Sequence, residues 1–147
     1  MANLPVYNIE FSGYKLDQDV EKLPTDSGVY IIYRCVYNKT TDKVQLVELI
    51  YIGKATSLRQ EVAHHKRREE FLAEAGDGET LCYAYAIVPR VQYDIIENAL
   101  IYTTEPRLNT NLVDNYDHQD AEFHFSGRCD KLEYYDFKIV DGVILEL

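Results

Sequence analysis

The chain has 147 residues, enough for one domain with a sizeable core, and 46% hydrophobic with 27% charged residues is ordinary globular composition. Its net charge of −10 argues against broad, non-specific binding to nucleic acid, and no apolar run approaches the roughly 18 residues needed to cross a bilayer. The N-terminus lacks the basic and apolar regions of a signal peptide, and the three cysteines form neither a metal pattern nor a disulfide framework. We therefore expect a single domain, 1–147, that is cytoplasmic, contains buried reduced thiols and has no membrane segment.

The first half of the chain predicts strands followed by a helix. The predicted elements are a strand at 6–11, a strand at 28–37, a turn at 38–43, a returning strand at 44–53, and a helix from Ser57 to about residue 74. Ser57 and Gln60 have the capping-box form, which marks the start of that helix. The dense β-branched and aromatic residues on both sides of the turn predict that 28–53 is a hairpin.

The second half predicts one more helix and a β-rich end. Its predicted elements are a strand at 80–89, a helix at 91–104 that Pro106 stops, and strands at 121–125, 133–140 and 143–147. The dipeptide Asp141-Gly142 between two apolar runs is a strong hairpin signal. The order predicts an α+β fold: a small, mostly antiparallel sheet flanked by helices, with a β-β-α-β-α core, an N-terminal strand and a C-terminal β extension.

Charge is unevenly distributed along the chain. Residues 54–68 carry five lysines and arginines against one acid, whereas residues 112–147 carry nine acids against three bases. A concentrated basic stripe on an acidic protein can hold a few phosphates, with strong salt dependence. A charged, solvated helix face is the alternative interpretation of the same stripe.

Two short tyrosine phrases, Gly28-Val29-Tyr30 and Tyr51-Ile52-Gly53, stand at the start of one hairpin strand and near the end of the other. Together with "YIGKATSL" and "ENALIYTTEPRLN", their order resembles that of the GIY-YIG nuclease superfamily. The resemblance covers a core at 27–112 and leaves 113–147 as an acidic, β-rich extension.

The resemblance implies a DNA endonuclease that hydrolyses phosphodiester bonds with a single Mg²⁺ or Mn²⁺ ion. Tyr30 and Tyr51 match the two motif tyrosines around the attacking water, one of which is proposed as general base. That role requires a hydroxyl pKa lowered from about 10. His65 matches a position near the nucleophile, Glu97 the metal-binding glutamate, and Asn109 the asparagine that braces the site. We expect these side chains to converge on one open concave surface.

The chain departs from the family at one position. Eight residues after the glycine of the second phrase, where the family has an arginine that steadies the scissile phosphate, this chain has Glu61. Lys54, Arg59 and Arg68 are the candidate phosphate contacts in its place, and Arg68 is the one expected on the same helix face as Glu61. No helix-turn-helix or zinc-finger pattern is present, so specificity for DNA would come from the basic helix, a protein partner or a homo-oligomer.

Other interpretations of these residues stay open. The tyrosines can be ordinary strand aromatics, His65 a core or surface histidine, Glu97 a solvated acid and Asn109 a turn residue. The alternative function is a catalytically degenerate GIY-YIG fold that serves as a nucleic-acid- or protein-binding module, which Glu61 and the net charge favour. An unrelated α+β domain is the third possibility.

Overall fold

A computed structural model describes residues 3–147 of the chain. The strands are β1 (Val6–Leu16), β2 (Gly28–Asn38), β3 (Lys43–Ala55), β4 (Thr80–Ile87), β5 (Ala121–Gly127), β6 (Asp136–Val140) and β7 (Val143–Glu146). The helices are α1 (Leu58–Ala63), α2 (Arg68–Ala73) and α3 (Arg90–Thr104), with 3₁₀ turns over Asp17–Lys22. The strands form one mixed sheet in the order β3-β2-β4-β1-β5-β6-β7, curved into a half-barrel.

The predicted fold class was wrong. The sheet is not small and flanked by helices: 41% of the residues are in strands and 23% are in helices, and all seven strands belong to one sheet. The N-terminal strand, predicted as an appendage, is a central strand, and the C-terminal extension continues the same sheet beyond it. Chain order and hydrophobic period identified most of the strands but not which strand edges pair, and pairing decides the architecture.

Strand β1 joins the two parts of the sheet because it is paired on both edges. From Val6 to Phe11 it runs parallel to β5, and from Ser12 to Leu16 it runs antiparallel to β4, with an irregular register between Ser12 and Lys15. The two pairings place β1 between β4 and β5 in the sheet, although only Phe11 and Leu16 of this strand are buried. The strand predicted at 6–11 therefore continues to Leu16.

The hairpin at 28–53 is confirmed, with β2 and β3 antiparallel from Gly28 opposite Ala55 to Asn38 opposite Lys43. The alternating residues of β2 lie in two hydrophobic clusters. Val29 and Ile31 pack with α3 and β5, whereas Tyr30 and Ile32 pack with α1 and α2. The helices therefore cover opposite faces of the hairpin, as the period-two alternation of a strand requires.

The single helix predicted from Ser57 to about residue 74 was wrong in its second half. Ser57 does cap α1, accepting from the Gln60 amide, but the chain leaves the helix at His64 and starts α2 only at Arg68. The Nδ1 atom of His65 accepts the Arg67 backbone N–H at 2.9 Å, so the histidine side chain stabilises the turn that separates the helices. A side chain that satisfies local backbone groups competes with the helix for them.

The remaining predictions agree closely with the structure. Helix α3 lies where the 91–104 pattern predicted it, although Val91, which the apolar spacing with Ile95 would place on the buried face, is 92% exposed. Asp141 and Gly142 both have positive φ between β6 and β7, the conformation of a two-residue hairpin turn. The three cysteines are buried and form no disulfide, as expected.

Candidate active site

An open cavity of about 360 Å³ lies where β2, β3, α1, the His64–Arg67 turn and α3 meet. Its lining includes all five residues that the sequence predicted as catalytic, namely Tyr30, Tyr51, His65, Glu97 and Asn109. Gly53, Lys54, Glu61, Lys66 and Arg67 also line it. The structure thus brings the predicted set together from five separate segments of the chain.

The glycine of the second tyrosine phrase makes room for the tyrosine of the first. Tyr30 lies directly opposite Gly53 in the β2–β3 ladder. A Cβ atom at Gly53 would lie 2.4 Å from the Tyr30 hydroxyl oxygen, far inside van der Waals contact. Gly28 is required for a similar reason, because a Cβ there would lie 2.0 Å from the Ala86 carbonyl oxygen on β4. Both motif glycines are therefore packing requirements of the strands that position the tyrosine.

Tyr30, Glu61 and His65 form a connected group. The buried Tyr30 hydroxyl donates to Glu61 Oε2 at 3.3 Å, and His65 Nε2 lies 3.4 Å from the same oxygen. Since His65 Nδ1 accepts the Arg67 amide, the proton of the neutral imidazole is on Nε2, which faces Glu61. Burial lowers the pKa of His65, and the neighbouring Glu61 opposes that effect only in part.

Tyr51 is the centre of an aromatic group at the rim of the cavity. Its ring lies 4.7 Å from that of Phe71 and 5.6 Å from that of His65, measured between ring centroids. The Arg67 guanidinium lies 5.4 Å from the Tyr51 ring centroid, a cation–π distance. Burial raises the pKa of Tyr51 against the opposing charge of Arg67, and burial together with Glu61 raises the pKa of Tyr30 well above its ordinary value. Both hydroxyls are therefore protonated at neutral pH, so neither tyrosine starts as a tyrosinate base.

Asn109 braces the edge of β3 beside the cavity. Its Oδ1 accepts the Ile52 N–H at 3.0 Å and its Nδ2 donates to the Ile52 carbonyl at 2.9 Å, so one side chain satisfies both backbone groups. Leu108 adds a backbone hydrogen bond to Ile50. The segment after α3 thereby holds β3 at the residue between Tyr51 and Gly53.

Glu97 is the carboxylate that α3 presents to the cavity. Burial raises its pKa from 4.5 to about 7, opposed by the charge and backbone N–H of Lys54. A hard, oxygen-donating carboxylate in this position suits Mg²⁺ or Mn²⁺, and a cation would favour its ionised form. Residues 3–147 contain no group of three or more histidine, cysteine or acidic side chains placed to hold a metal ion. An ion at Glu97 would accordingly take most of its ligands from water and a phosphate.

The three predicted phosphate contacts have different surroundings. Lys54 lines the cavity, where it pairs with Asp94. Arg59 donates to the Leu23 carbonyl at 2.8 Å and does not line the cavity. Arg68, expected on the face of Glu61, points elsewhere: its guanidinium donates to Asp17 and to the Tyr83 hydroxyl. The break between α1 and α2 separates Arg68 from the site.

Arg67 is the arginine that reaches the cavity, and sequence reasoning did not select it. Its guanidinium donates to both oxygens of Glu70 and to the Leu108 carbonyl, and its side chain remains 25% exposed. A continuous helix would turn this residue away from the site. The contact that places it, in which its backbone N–H donates to His65 Nδ1, is a local side-chain hydrogen bond that residue spacing does not reveal.

No protein-family profile, curated protein or solved structure matches the chain. Within the part of the chain that the structure describes, no helix is both long and apolar enough to cross a membrane.

Proposed function

We propose that this protein is a divergent GIY-YIG-type DNA endonuclease that hydrolyses phosphodiester bonds with one divalent metal ion. The observation that carries the proposal is the convergence of Tyr30, Tyr51, His65, Glu97 and Asn109 in one open cavity. Hydroxyl, imidazole and carboxylate groups that converge in a concave site are candidates for the proton-transfer and metal-binding roles of phosphodiester hydrolysis.

The cations at the rim supply the contacts for a phosphate. Lys54, Lys66 and Arg67 line the cavity with the carboxylates Glu61 and Glu97, so three cations face two acids in a protein whose net charge is −10. The planar Arg67 guanidinium is already fixed by Glu70, the Leu108 carbonyl and an aromatic ring, so it would lose little freedom on exchanging Glu70 for a phosphoryl oxygen. Arg67 therefore takes the role that the family arginine has at the position of Glu61.

Glu97 would hold the metal ion, which would polarise the scissile phosphate and stabilise the negative charge that develops on its oxygens. The protein itself buries Tyr30 and fixes β3 through Asn109. The three buried thiols suit a reducing cytoplasm, where such an enzyme would meet DNA.

Nicking of supercoiled plasmid DNA tests the proposal. The wild-type protein should nick the plasmid with Mg²⁺ or Mn²⁺ and not with a chelator, and Glu97→Ala should lose that activity. Glu69→Ala, an exposed glutamate on α2, is the matched control and should retain it. Absence of metal-dependent nicking, with DNA or a protein still bound through the Tyr30–Tyr51 surface, would support the binding-module alternative instead.

A further inference from the structure

Glu61, the residue at which the chain departs from the family pattern, faces the site. Glu61 lies on α1 with its carboxylate at the cavity, where Oε2 accepts from the Tyr30 hydroxyl and lies 3.4 Å from His65 Nε2. Its side chain is 40% exposed, so the same carboxylate also reaches solvent. A single oxygen thus connects the buried tyrosine, the histidine and bulk water.

From this geometry we propose that Glu61 is a positioning residue that accepts the Tyr30 proton when Tyr30 takes a proton from the attacking water. The inference rests on the proposed nuclease function and deepens it. A tyrosine that starts protonated is a poor base, but a protonated hydroxyl already donating to a carboxylate can receive one proton as it passes on another. The glutamate at the position of the family arginine then has a chemical role of its own, beyond the loss of the arginine's phosphate contact.

The proton and electron balance is simple. The water oxygen forms a bond to phosphorus while the bond from phosphorus to the leaving sugar oxygen breaks. One water proton moves to the Tyr30 oxygen as the tyrosine's own proton moves to Glu61 Oε2. Glu61 afterwards returns that proton to solvent, and the leaving oxygen takes one from solvent.

His65 fixes the carboxylate for this transfer. Its Nδ1 is occupied by the Arg67 amide, so the Nε2 proton faces Glu61. The side chain is only 7% exposed and packs against Tyr51 and Phe71, which holds the ring in place. The other ionisable groups that share the cavity with Glu61 are Tyr51 and Lys54 from β3, Lys66 and Arg67 from the turn, and Glu97 from α3.

The pH profile of nicking separates this role from a structural one. The assay compares wild type, Glu61→Gln and Glu61→Asp between about pH 7.5 and 9.5, above the pH at which Glu97 ionises. Glu61→Gln should nick about 10² times more slowly at pH 7.5 and gain about tenfold per pH unit, because hydroxide replaces the missing acceptor. Wild type and Glu61→Asp, which retain a carboxylate, should have flat profiles.

Each other outcome is informative. A flat profile for Glu61→Gln with a rate within about threefold of wild type would overturn the role of Glu61 and leave the nuclease function intact. A faster rate for Glu61→Arg than for wild type would also overturn it. That result would show that the wild-type site lacks a cation and that Glu61 is not needed as a proton acceptor. If wild type shows no nicking that depends on Glu97, the nuclease function itself fails, and the inference fails with it.

Discussion

Replacing Glu97 by glutamine should stabilise the folded protein, and the gain should grow with pH. Burial raises the pKa of this carboxyl from 4.5 to about 7, so between these values the folded chain binds more protons than the unfolded chain. Stability then falls as pH rises through this window, which is the reverse of the usual behaviour of an ion-paired acid. Below pH 4.5 the carboxyl is neutral in both states, and the two proteins should be equally stable.

The magnitude follows from the size of the pKa change. At about 1.4 kcal/mol per pKa unit, moving from 4.5 to about 7 costs the folded state about 3 kcal/mol once the pH exceeds 7. Glutamine is neutral at every pH and avoids that cost. For a chain of this length, the unfolding midpoint of Glu97→Gln should exceed that of wild type by roughly 6–12 °C at pH 8.

Thermal and urea unfolding with a chelator present would measure this difference at several pH values from about 4 to 8. Glu69→Gln is the matched control, because the same substitution at an exposed position should change the midpoint little at any pH. A Glu97→Gln protein that is less stable than wild type at pH 8, or whose difference from wild type does not depend on pH, would refute the reasoning. Glu97 would then be a favourably paired carboxylate, and a metal ion would gain nothing from relieving its burial.

Three further substitutions test the site. Gly53→Ala should displace the Tyr30 hydroxyl, which lies 2.4 Å from the new methyl position, and destabilise the protein by about 1–3 kcal/mol in urea unfolding. Gly76→Ala is the control and should be nearly neutral, because its methyl group would lie 3.5 Å from the nearest atom. Arg67→Ala should slow nicking by about 10²–10³-fold, while Arg68→Ala should mainly lower stability; equal effects of both on nicking would contradict the assignment of Arg67. Asn109→Ala should cost about 1–3 kcal/mol of stability by leaving two backbone groups of β3 unpaired, and unchanged urea unfolding would show that water replaces the amide.

Local chemistry made the hairpin and its tyrosine phrases predictable. The β-branched and aromatic residues of 28–53 specify two strands, and their short connection pairs them with each other, so the order of Tyr30 and Tyr51 in the chain already implies proximity. Helix α3 was predictable for the same reason, because its apolar spacing is strictly local. Only the resemblance predicted that α3 lies close to this hairpin.

Side-chain contacts and long-range strand pairing decided what the sequence did not predict. The apolar spacing between residues 57 and 74 continues through the break between α1 and α2, which depends on the His65 side chain. Continued helical spacing from Leu58 and Val62 would bury Leu72, but Leu72 is 39% exposed and Phe71 is buried instead. The position of β1 between β4 and β5 depends on pairings with residues more than 60 positions away. Neither the local period nor intrinsic propensity carries that information.

Helix α3 explains why the segments outside the predicted core matter to the site. One face of the helix presents Glu97 to the cavity, and another faces the C-terminal extension. There the buried Asn98 donates to the Asn115 carbonyl and accepts the Asp117 amide, and the Tyr102 hydroxyl donates to the Gly142 carbonyl. Because the hydrophobic cluster under α3 also includes Phe123 and Phe137 from β5 and β6, the extension is part of the scaffold that holds this helix. The residues that line the cavity and set the pKa of Glu97 all lie between 30 and 112, and the extension supports them by holding the opposite side of α3.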